Sequence, residues 1–389
     1  MAAERRREEI VLKVAITGGG TGGHVFPGVA VAEALRALPG ETEILFIGGS
    51  RGLEATAIPD AGFEFRAVPV RSLLGRRLLA VPMVLWTLLR GVVSAYRILR
   101  RFDPDVIFAT GGYVSGAVAI AGRLLRRPLV LHEQNSVPGL TNRLLARIAD
   151  EVHLSIPSAR RYFTRRHHLR LSGNPVRREI LAGNARRALR DYGFSPERRT
   201  ILILGGSQGA RSINRAAVET IRALRRRDDL QFILQTGRRD QSRLQRQLRR
   251  LRDRVRVRAF IRNMGDAYAL ADLVVARAGA TSLAEIAAAG RAAILIPYPH
   301  ASHNHQEANA RVLREAGAAR VVPDRRLTGR RLTSEIANII DTPRKLREMS
   351  NSALLMARPD AAQKIARALR ALVSGGVEEN GNGEESMRG

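Results

Sequence analysis

The chain has 389 residues, which is long for one domain and favours two. It contains no cysteine, which excludes disulfides, thiolate zinc sites and a cysteine nucleophile. The formal net charge of +29 indicates attraction to polyanions such as nucleic acid, anionic lipid headgroups or diphosphate ligands.

The first half of the chain alternates apolar strand-like runs with helix-like segments, which predicts a parallel sheet with right-handed crossovers. A glycine-rich loop follows the first run, and a helix is predicted over 27–38 with Pro27 near its first turn. A longer, mixed helix is predicted over 73–100. The strands predicted in this half lie at 10–16, 43–47, 105–108, 128–132 and 151–155.

The segment 172–177 contains Gly, Asn and Pro and is predicted to join two domains. The alternation then restarts, and the predicted strands lie at 200–204, 231–235, 255–259, 273–276 and 293–297. The arginine-dense segments 186–190 and 238–254 are interpreted as solvated helix faces. Residues 375–389 are rich in Gly, Glu and Asn, which predicts a disordered tail.

The first glycine loop fits G-x-G-x-x-G through Gly18, Gly20 and Gly23. The second predicted strand ends without the acidic residue that an NAD site needs, and no P-loop lysine is present. What remains is a loop that can cradle a diphosphate. His24 follows it at the start of a helix, where the helix dipole favours a neutral ring that can accept a proton. The alternative is a histidine that only caps or packs.

Polar residues follow further predicted strands. The run 132–135, His-Glu-Gln-Asn, is either a structural network or part of a ligand site. After the strand at 273–276, Thr281 can cap a helix beside a phosphate, and Glu285 lies one turn on, on the same face. Glu285 can accept two hydrogen bonds from a ribose diol, or it can interact only with the helix dipole.

A histidine cluster lies between the last predicted strand and the C-terminal helices. His303, His305 and Glu307 alternate, which favours a strand over a helix, and no H-E-x-x-H helix is present. The cluster is interpreted as contacts to a sugar and its diphosphate, with zinc binding as the alternative.

Six motifs occur together and in order, at 19–28, 111–116, 132–135, 173–177, 205–210 and 305–310. Over roughly residues 12–370, the chain closely resembles the MurG family of bacterial peptidoglycan glycosyltransferases. The resemblance implies an α/β protein with the GT-B fold, in which two Rossmann-like domains with parallel sheets face an inter-domain cleft. It implies inverting transfer of N-acetylglucosamine from UDP-N-acetylglucosamine to undecaprenyl-diphospho-N-acetylmuramoyl-pentapeptide, converting lipid I to lipid II.

The resemblance also implies no cofactor and no obligatory metal. The D-x-D sequence at 103–105 precedes a predicted strand, so it is expected at the sheet edge away from the glycine loops. With the domains divided at the 172–177 joint, residues 10–172 are expected to form the lipid-acceptor domain, completed by a C-terminal helix near 355–372. Residues 173–350 are expected to form the UDP-sugar domain.

Site residues are carried over motif by motif. The predicted contacts to the acceptor and its diphosphate are Gly20, Thr21, Gly22, His24, Tyr113 and Ser115. The predicted contacts to UDP-N-acetylglucosamine are Thr21, Gly22, Gly23, Asn135, Arg177, Ser207, Ile261, Glu285 and Gln306. His24 is the first candidate for the general base and Glu133 the second. Some family members carry Gln in place of His305, so Gln306 is the preferred sugar contact.

The membrane is a further expected partner. No secretory signal is apparent, and the longest uncharged apolar run, 78–89, is too short to span a bilayer. Arginines flank this run, which predicts peripheral binding to an anionic membrane surface. The resemblance implies that this surface is the cytoplasmic face of the cell membrane, because the family's lipid-linked acceptor is anchored in that leaflet. The residues predicted to contact the membrane are Leu74, Arg76, Arg77, Leu79 and Trp86. Other cell-wall synthesis proteins are further candidate partners.

Two rival functions are weighed. A UDP-sugar 2-epimerase shares a GT-B-like fold and donor site, but it needs carboxylates for proton transfer and turns over without an acceptor. A nucleic-acid-binding protein is suggested only by the charge. Aromatic residues make up 4% of the chain and Trp86 is its one tryptophan, so base-stacking platforms are lacking and no nucleic-acid partner is expected.

Overall fold

The computed structural model describes residues 11–50, 52–70, 81–164, 168–206, 209–301 and 304–375. The predicted membrane residues between 71 and 80, Ser207, His303 and the tail beyond 375 lie outside these ranges. Within them the chain forms a 7-stranded and a 6-stranded sheet. The strands are β1 (Leu12–Gly18), β2 (Thr42–Gly49), β3 (Glu64–Val68), β4 (Val106–Gly111), β5 (Leu129–Glu133), β6 (Glu151–Leu154), β7 (Leu169–Leu171), β8 (Arg199–Leu204), β9 (Leu230–Gln235), β10 (Val255–Arg258), β11 (Leu273–Ala276), β12 (Ala292–Leu295) and β13 (Ala319–Val321).

Helices connect and cover the strands. They are α1 (Gly22–Arg36), α2 (Glu54–Asp60), α3 (Val81–Phe102), α4 (Tyr113–Leu124), α5 (Leu140–Leu145), α6 (Arg178–Leu181), α7 (Ala185–Tyr192), α8 (Arg211–Ala223), α9 (Gln241–Gln247), α10 (Met264–Leu270), α11 (Ala280–Ala288), α12 (His305–Glu315), α13 (Gly329–Ile340), α14 (Pro343–Leu355) and α15 (Ala361–Val373). Among the described residues, no helix combines the length and hydrophobicity that crossing a bilayer requires.

The strand order determines where ligands can bind. The first sheet runs β3-β2-β1-β4-β5-β6-β7 and the second β10-β9-β8-β11-β12-β13, with parallel pairing throughout. The direction of strand addition reverses between β1 and β4 and again between β8 and β11. In open α/β sheets the crevice at this reversal, beyond the carboxyl ends of the strands, holds the ligand.

Each sheet is buried between helices, so its central strands are continuous apolar runs. The last helix returns to the first sheet. Ile365 and Leu369 of α15 are fully buried against apolar residues of α1, such as Val29. The C-terminal segment therefore contributes to the core of the N-terminal half.

Two predictions about local structure were wrong. The first helix begins at Gly22, a turn earlier than predicted, so Pro27 lies inside it. The segment expected to alternate as a strand is helical from His305 onward, because Asn304, at φ +52°, cannot continue an extended strand and forms the N-cap of α12. Three of the four edge strands, β3, β7 and β13, were not predicted.

Candidate active site

The first two glycine loops meet at the carboxyl edge of the first sheet. Gly112 has φ +88°, and a side chain there would bring its Cβ to 2.6 Å from the carbonyl oxygen of Gly19. Only glycine fits this close backbone approach. The loop after β1 and the loop after β4 therefore form one continuous surface.

Glu54, which the sequence analysis missed, organises this surface. It is fully buried at the start of α2, and its two carboxylate oxygens accept hydrogen bonds from the backbone N–H groups of Gly20, at 3.1 Å, and Gly49, at 3.2 Å. A Cβ on Gly19 would lie 2.5 Å from the same carboxylate. The glycines of the first loop thus make room for Glu54.

We expect Glu54→Ala to leave these N–H groups without an acceptor and to lower the free energy of unfolding by about 1–3 kcal/mol. Urea unfolding checks this, with the exposed Glu64→Ala as the control. Equal stability of the two variants would contradict the role of Glu54.

His24 lies on the first turn of α1, partly buried beside the second loop. Its Nδ1 lies 3.0 Å from the carbonyl oxygen of Thr110 and 3.2 Å from Oε1 of Gln134. Both are acceptors, so Nδ1 carries the proton and Nε2 keeps its lone pair. Burial lowers the pKa of His24 below its ordinary value. The ring is thus a neutral proton acceptor, and the predicted position on the first turn is confirmed.

Glu133, at the end of β5, is buried and its oxygens are engaged by the loop that follows. Oε1 accepts from the backbone N–H and side-chain amide of Asn135 at 2.9 and 3.1 Å. Oε2 accepts from the side chain of Asn142 at 2.9 Å and from the N–H of Gly139 at 3.3 Å. Burial raises the pKa of the carboxyl group, against these hydrogen bonds. Glu133 is therefore well suited to hold the loop in shape.

The two halves touch through polar contacts beside this loop. Asn309 of α12, fully buried, donates to Oδ1 of Asn135 at 3.1 Å and accepts from the N–H and hydroxyl of Ser136, each at 2.9 Å. Asn309 stands within the sixth sequence motif, but its part in joining the halves was not predicted.

A second contact explains the proline inside α1. Pro27 has no N–H, so the carbonyl of Gly23, four residues earlier, lacks its helical partner. The hydroxyl of Thr281 in the other half donates to that oxygen at 3.2 Å. Thr281 was predicted to cap α11, but the N-cap position is Gly279. Thr281 instead brings α11 against α1, close to His24.

The predicted donor residues Arg177 and Glu285 come together across 108 positions of sequence. Glu285 is buried; Oε1 accepts from Arg177 at 3.2 Å and Oε2 from the hydroxyl of Tyr268 at 3.2 Å. Burial raises the pKa of Glu285, and Arg177 opposes the shift. The guanidinium of Arg177 also lies 4.1 Å from the ring centre of Phe26, in α1.

The third glycine loop lies at the reversal point of the second sheet, at the end of β8. Gln235 connects it to Ile261: its amide donates to the carbonyl of Gly206 at 3.2 Å and accepts from the N–H of Ile261 at 2.9 Å. The N–H of Ile261 is therefore engaged within the protein, and the backbone contact of Ile261 to uracil that the resemblance implies stays a prediction. Gln235 was not predicted, although it ends a strand as Glu133 does.

Three further residues predicted to contact the substrates make hydrogen bonds or packing contacts within the protein. Gln306, on the first turn of α12, accepts from the N–H of Tyr298 at 2.9 Å. Tyr113, partly buried, begins α4 beside the first loop, where a Cβ on Gly20 would lie 3.5 Å from its ring. Ser115 is fully buried, and its hydroxyl donates to the carbonyl of Gly111 at 2.7 Å. The side chain is therefore engaged within the protein, and only the backbone of Ser115 could contact the acceptor substrate.

Two possible metal sites, the histidine cluster and the D-x-D sequence, can be checked against the described part of the chain. No group of three or more potential ligands among His, Asp and Glu converges there. Asp105 accepts from the N–H of Lys13 at 2.7 Å, at the start of β1. The D-x-D sequence thus lies at the edge opposite the glycine loops, as predicted.

Comparison with known proteins agrees with this geometry. Residues 14–154 match the glycosyltransferase family 28 N-terminal domain, and residues 200–365 match its C-terminal domain. The chain is 40% identical over 371 residues to a protein of Desulforamulus reducens, covering 93% of this chain and 99% of that one. It is 42% identical over 355 residues to a protein of Thermodesulfovibrio yellowstonii, covering 91% and 97%. Both relatives are named UDP-N-acetylglucosamine--N-acetylmuramyl-(pentapeptide) pyrophosphoryl-undecaprenol N-acetylglucosamine transferase.

Solved structures give the same result for the fold. MurG of Acinetobacter baumannii superposes with a TM-score of 0.70 at 30% identity, covering 92% of this chain and 99% of that one. A putative UDP-N-acetylglucosamine 2-epimerase of Listeria monocytogenes reaches a TM-score of 0.69 at 13% identity, covering 94% and 97%, which shows a shared fold only. The predicted pair of Rossmann-like domains in a GT-B arrangement is confirmed.

Proposed function

This chain belongs to glycosyltransferase family 28, and from that membership we propose that it transfers N-acetylglucosamine from UDP-N-acetylglucosamine to undecaprenyl-diphospho-N-acetylmuramoyl-pentapeptide. The observation that carries the proposal is the identity of 40% or more to transferases of that name over more than nine-tenths of the chain. The product is lipid II, and the reaction inverts the anomeric centre of the sugar.

In the proposed mechanism, Nε2 of His24 accepts the proton of the acceptor hydroxyl as that oxygen attacks the sugar opposite the leaving UDP. The hydrogen bonds of Nδ1 to Thr110 and Gln134 support this role, because they leave Nε2 as the basic atom. The negative charge on UDP is stabilised by the N-terminus of α8, which follows the third glycine loop, and by Arg177. Glu133 acts through the loop it holds.

We propose the following division of labour. The half that carries His24, Tyr113 and Asn135 binds the lipid-linked acceptor, with Thr21, Gly22 and Gly23 lying between the two substrates. The other half, with Ser207, Ile261, Glu285 and Gln306, binds the UDP-sugar. Both sets of loops lie at the carboxyl edges of their sheets, and α1 and α11 touch there, which supports a shared cleft.

Transfer of radiolabelled N-acetylglucosamine to a lipid-linked acceptor tests the function. The expected result is labelled lipid product with UDP released in equal amount, both with and without chelator. Incubation with UDP-N-acetylglucosamine alone is the control, since a 2-epimerase would form a new sugar nucleotide without acceptor. Turnover of the donor alone, with no labelled lipid, would overturn the assignment.

We also propose that the protein binds the cytoplasmic face of the membrane peripherally, through α3. Trp86 and Leu89 are 61% and 54% exposed, and they lie three residues apart, on the same face of α3. Arg90 and Arg97 are exposed on the same helix. Apolar side chains beside arginines fit an interface with anionic headgroups. Leu74, Arg76, Arg77 and Leu79 lie outside the described residues and stay predictions.

The double variant Trp86→Ser, Leu89→Ser is expected to lower binding to anionic vesicles by at least about tenfold. Each large apolar side chain that leaves water contributes about 1.5–3 kcal/mol. Vesicle sedimentation measures the effect. The matched control is Leu354→Ser, Leu355→Ser on α14, which removes leucines that are 52% and 81% exposed in the other half. Equal losses in both variants would exclude α3 as the membrane contact.

A further inference from the structure

A chain of buried hydrogen bonds runs from the joint between the two halves to His24. The carbonyl oxygen of Gly173 lies 3.1 Å from Nε2 of His132, on β5. Nδ1 of His132 lies 3.1 Å from Nε2 of Gln134, and Oε1 of Gln134 lies 3.2 Å from Nδ1 of His24. The amide of Gln134 also donates to the carbonyl of Thr110 at 2.6 Å. His132 and Gln134 are at most 1% exposed, so water does not compete for these bonds.

The positions of the protons in this chain follow from its carbonyl groups. A carbonyl oxygen only accepts, so Gly173 requires a proton on Nε2 of His132, and Nδ1 of that ring becomes an acceptor. Nδ1 then requires the NH₂ group of Gln134, which turns the oxygen of Gln134 toward His24. That oxygen requires a proton on Nδ1 of His24. The carbonyl of Thr110 imposes the same orientation on Gln134 and the same proton on His24.

A doubly protonated His132 would break the sequence of donors and acceptors, because its Nδ1 could no longer accept. Burial lowers the pKa of His132 to about 3, so the ring stays neutral across the working pH range. Ser155, whose hydroxyl lies 3.1 Å from Nε2 of His132, accepts from the same proton.

We propose that Gln134 and His132 are positioning residues that hold His24 in the Nδ1–H tautomer and connect that tautomer to the backbone of the inter-domain joint. The inference rests on the proposed role of His24 as the base. In this arrangement Nε2 of His24 is the basic atom before substrate binds, so no tautomer exchange precedes proton transfer. Gly173 belongs to the 172–177 joint. A movement of the two halves that displaces its carbonyl therefore weakens the chain of hydrogen bonds at the end farthest from His24.

The test uses Gln134→Met, which keeps the length of the side chain and removes both polar atoms. Loss of one neutral hydrogen bond shifts the tautomer ratio of His24 by about 2- to 12-fold. Histidine-selective ¹⁵N NMR of the full chain reads this ratio, with the His24 signals assigned from His24→Asn. His132→Phe is expected to produce a smaller shift of the same sign, because Thr110 still orients Gln134. Gln134→Leu is the second variant if methionine prevents folding.

The pH profile gives an independent readout. The bond to Gln134 raises the pKa of His24, so removing it moves the acidic limb of kcat/KM to lower pH while donor KM stays within about twofold. The other groups that act on His24 are Glu54 of α2, which raises its pKa, and His305 of α12, which lowers it; His132 is the further titratable neighbour. These residues are unchanged in the Gln134 variants.

His153→Phe is the matched control. His153 is a buried histidine that pairs with His132 in the sheet register, but its ring bonds to Ser172 and Glu151. It is expected to leave both readouts of His24 unchanged. An Nε2–H tautomer of His24 in the unmodified protein, or unchanged ¹⁵N shifts in Gln134→Met, would overturn the proposal. These spectra need no substrate, so their outcome is separate from any failure of the transfer assay.

Discussion

Replacing His24 with alanine is expected to lower kcat by about 10²–10⁴-fold while leaving UDP affinity nearly unchanged. The reason is that Nε2 is the available basic atom of a ring whose Nδ1 is engaged by Thr110 and Gln134. Steady-state turnover with the lipid acceptor measures the first effect, and calorimetry with UDP measures the second.

The pH dependence follows from the direction of the pKa shift. Burial lowers the pKa of His24 below its ordinary value of 6.5, so the ring is a neutral base down to that lowered pKa. Activity is expected to hold as pH falls to the lowered pKa and to decline below it. His153→Ala, which removes a buried histidine of β6, serves as the control. Near-normal turnover of His24→Ala would assign His24 to packing and make Glu133 the next candidate.

Replacing Glu285 with alanine is expected to raise the KM for UDP-N-acetylglucosamine by about 10- to 150-fold. Loss of the hydrogen bond that a ribose hydroxyl donates to a charged carboxylate costs about 1.5–3 kcal/mol. The carboxylate is held in place by Arg177 and Tyr268, so it is oriented before the donor binds. Steady-state kinetics at varied donor concentration measure the effect.

A structural role of Glu285 must be separated from a binding role. Glu285→Gln keeps the volume and an acceptor for Tyr268, so it is expected to preserve the unfolding midpoint better than alanine while still raising donor KM. The matched control is Glu335→Gln, a buried glutamate of α13 that also pairs with arginines, Arg320 and Arg331. If Glu285→Gln and Glu335→Gln lose stability alike and donor KM stays unchanged, the ribose assignment is wrong.

Much of the fold was predictable because buried parallel strands are continuous apolar runs. The strand predicted at 273–276 coincides with β11, and the other predicted strands overlap observed ones by most of their length. The missed strands β3, β7 and β13 all lie at sheet edges. An edge strand is partly exposed, as β3 is, so it lacks a continuous apolar pattern.

The sequence by itself determined the residue types and their places in the loops and helix starts that follow strands: the glycine loops, His24, the polar run 132–135 and Glu285. It also determined the family, because six motifs in register are specific even where each one is modest, and the match to family 28 confirms that resemblance. These features are local or follow the chain order, so they can be read along the sequence.

Only the tertiary structure decided which atoms meet. The Thr281 hydroxyl reaches the carbonyl that Pro27 leaves unpaired, across 258 positions of sequence. Glu133 has its oxygens engaged by its own loop, whereas His24 keeps a basic nitrogen because carbonyl groups fix its tautomer. Hydrogen bonds of this kind depend on the distance and direction of groups brought together by packing, and residue spacing does not encode either quantity.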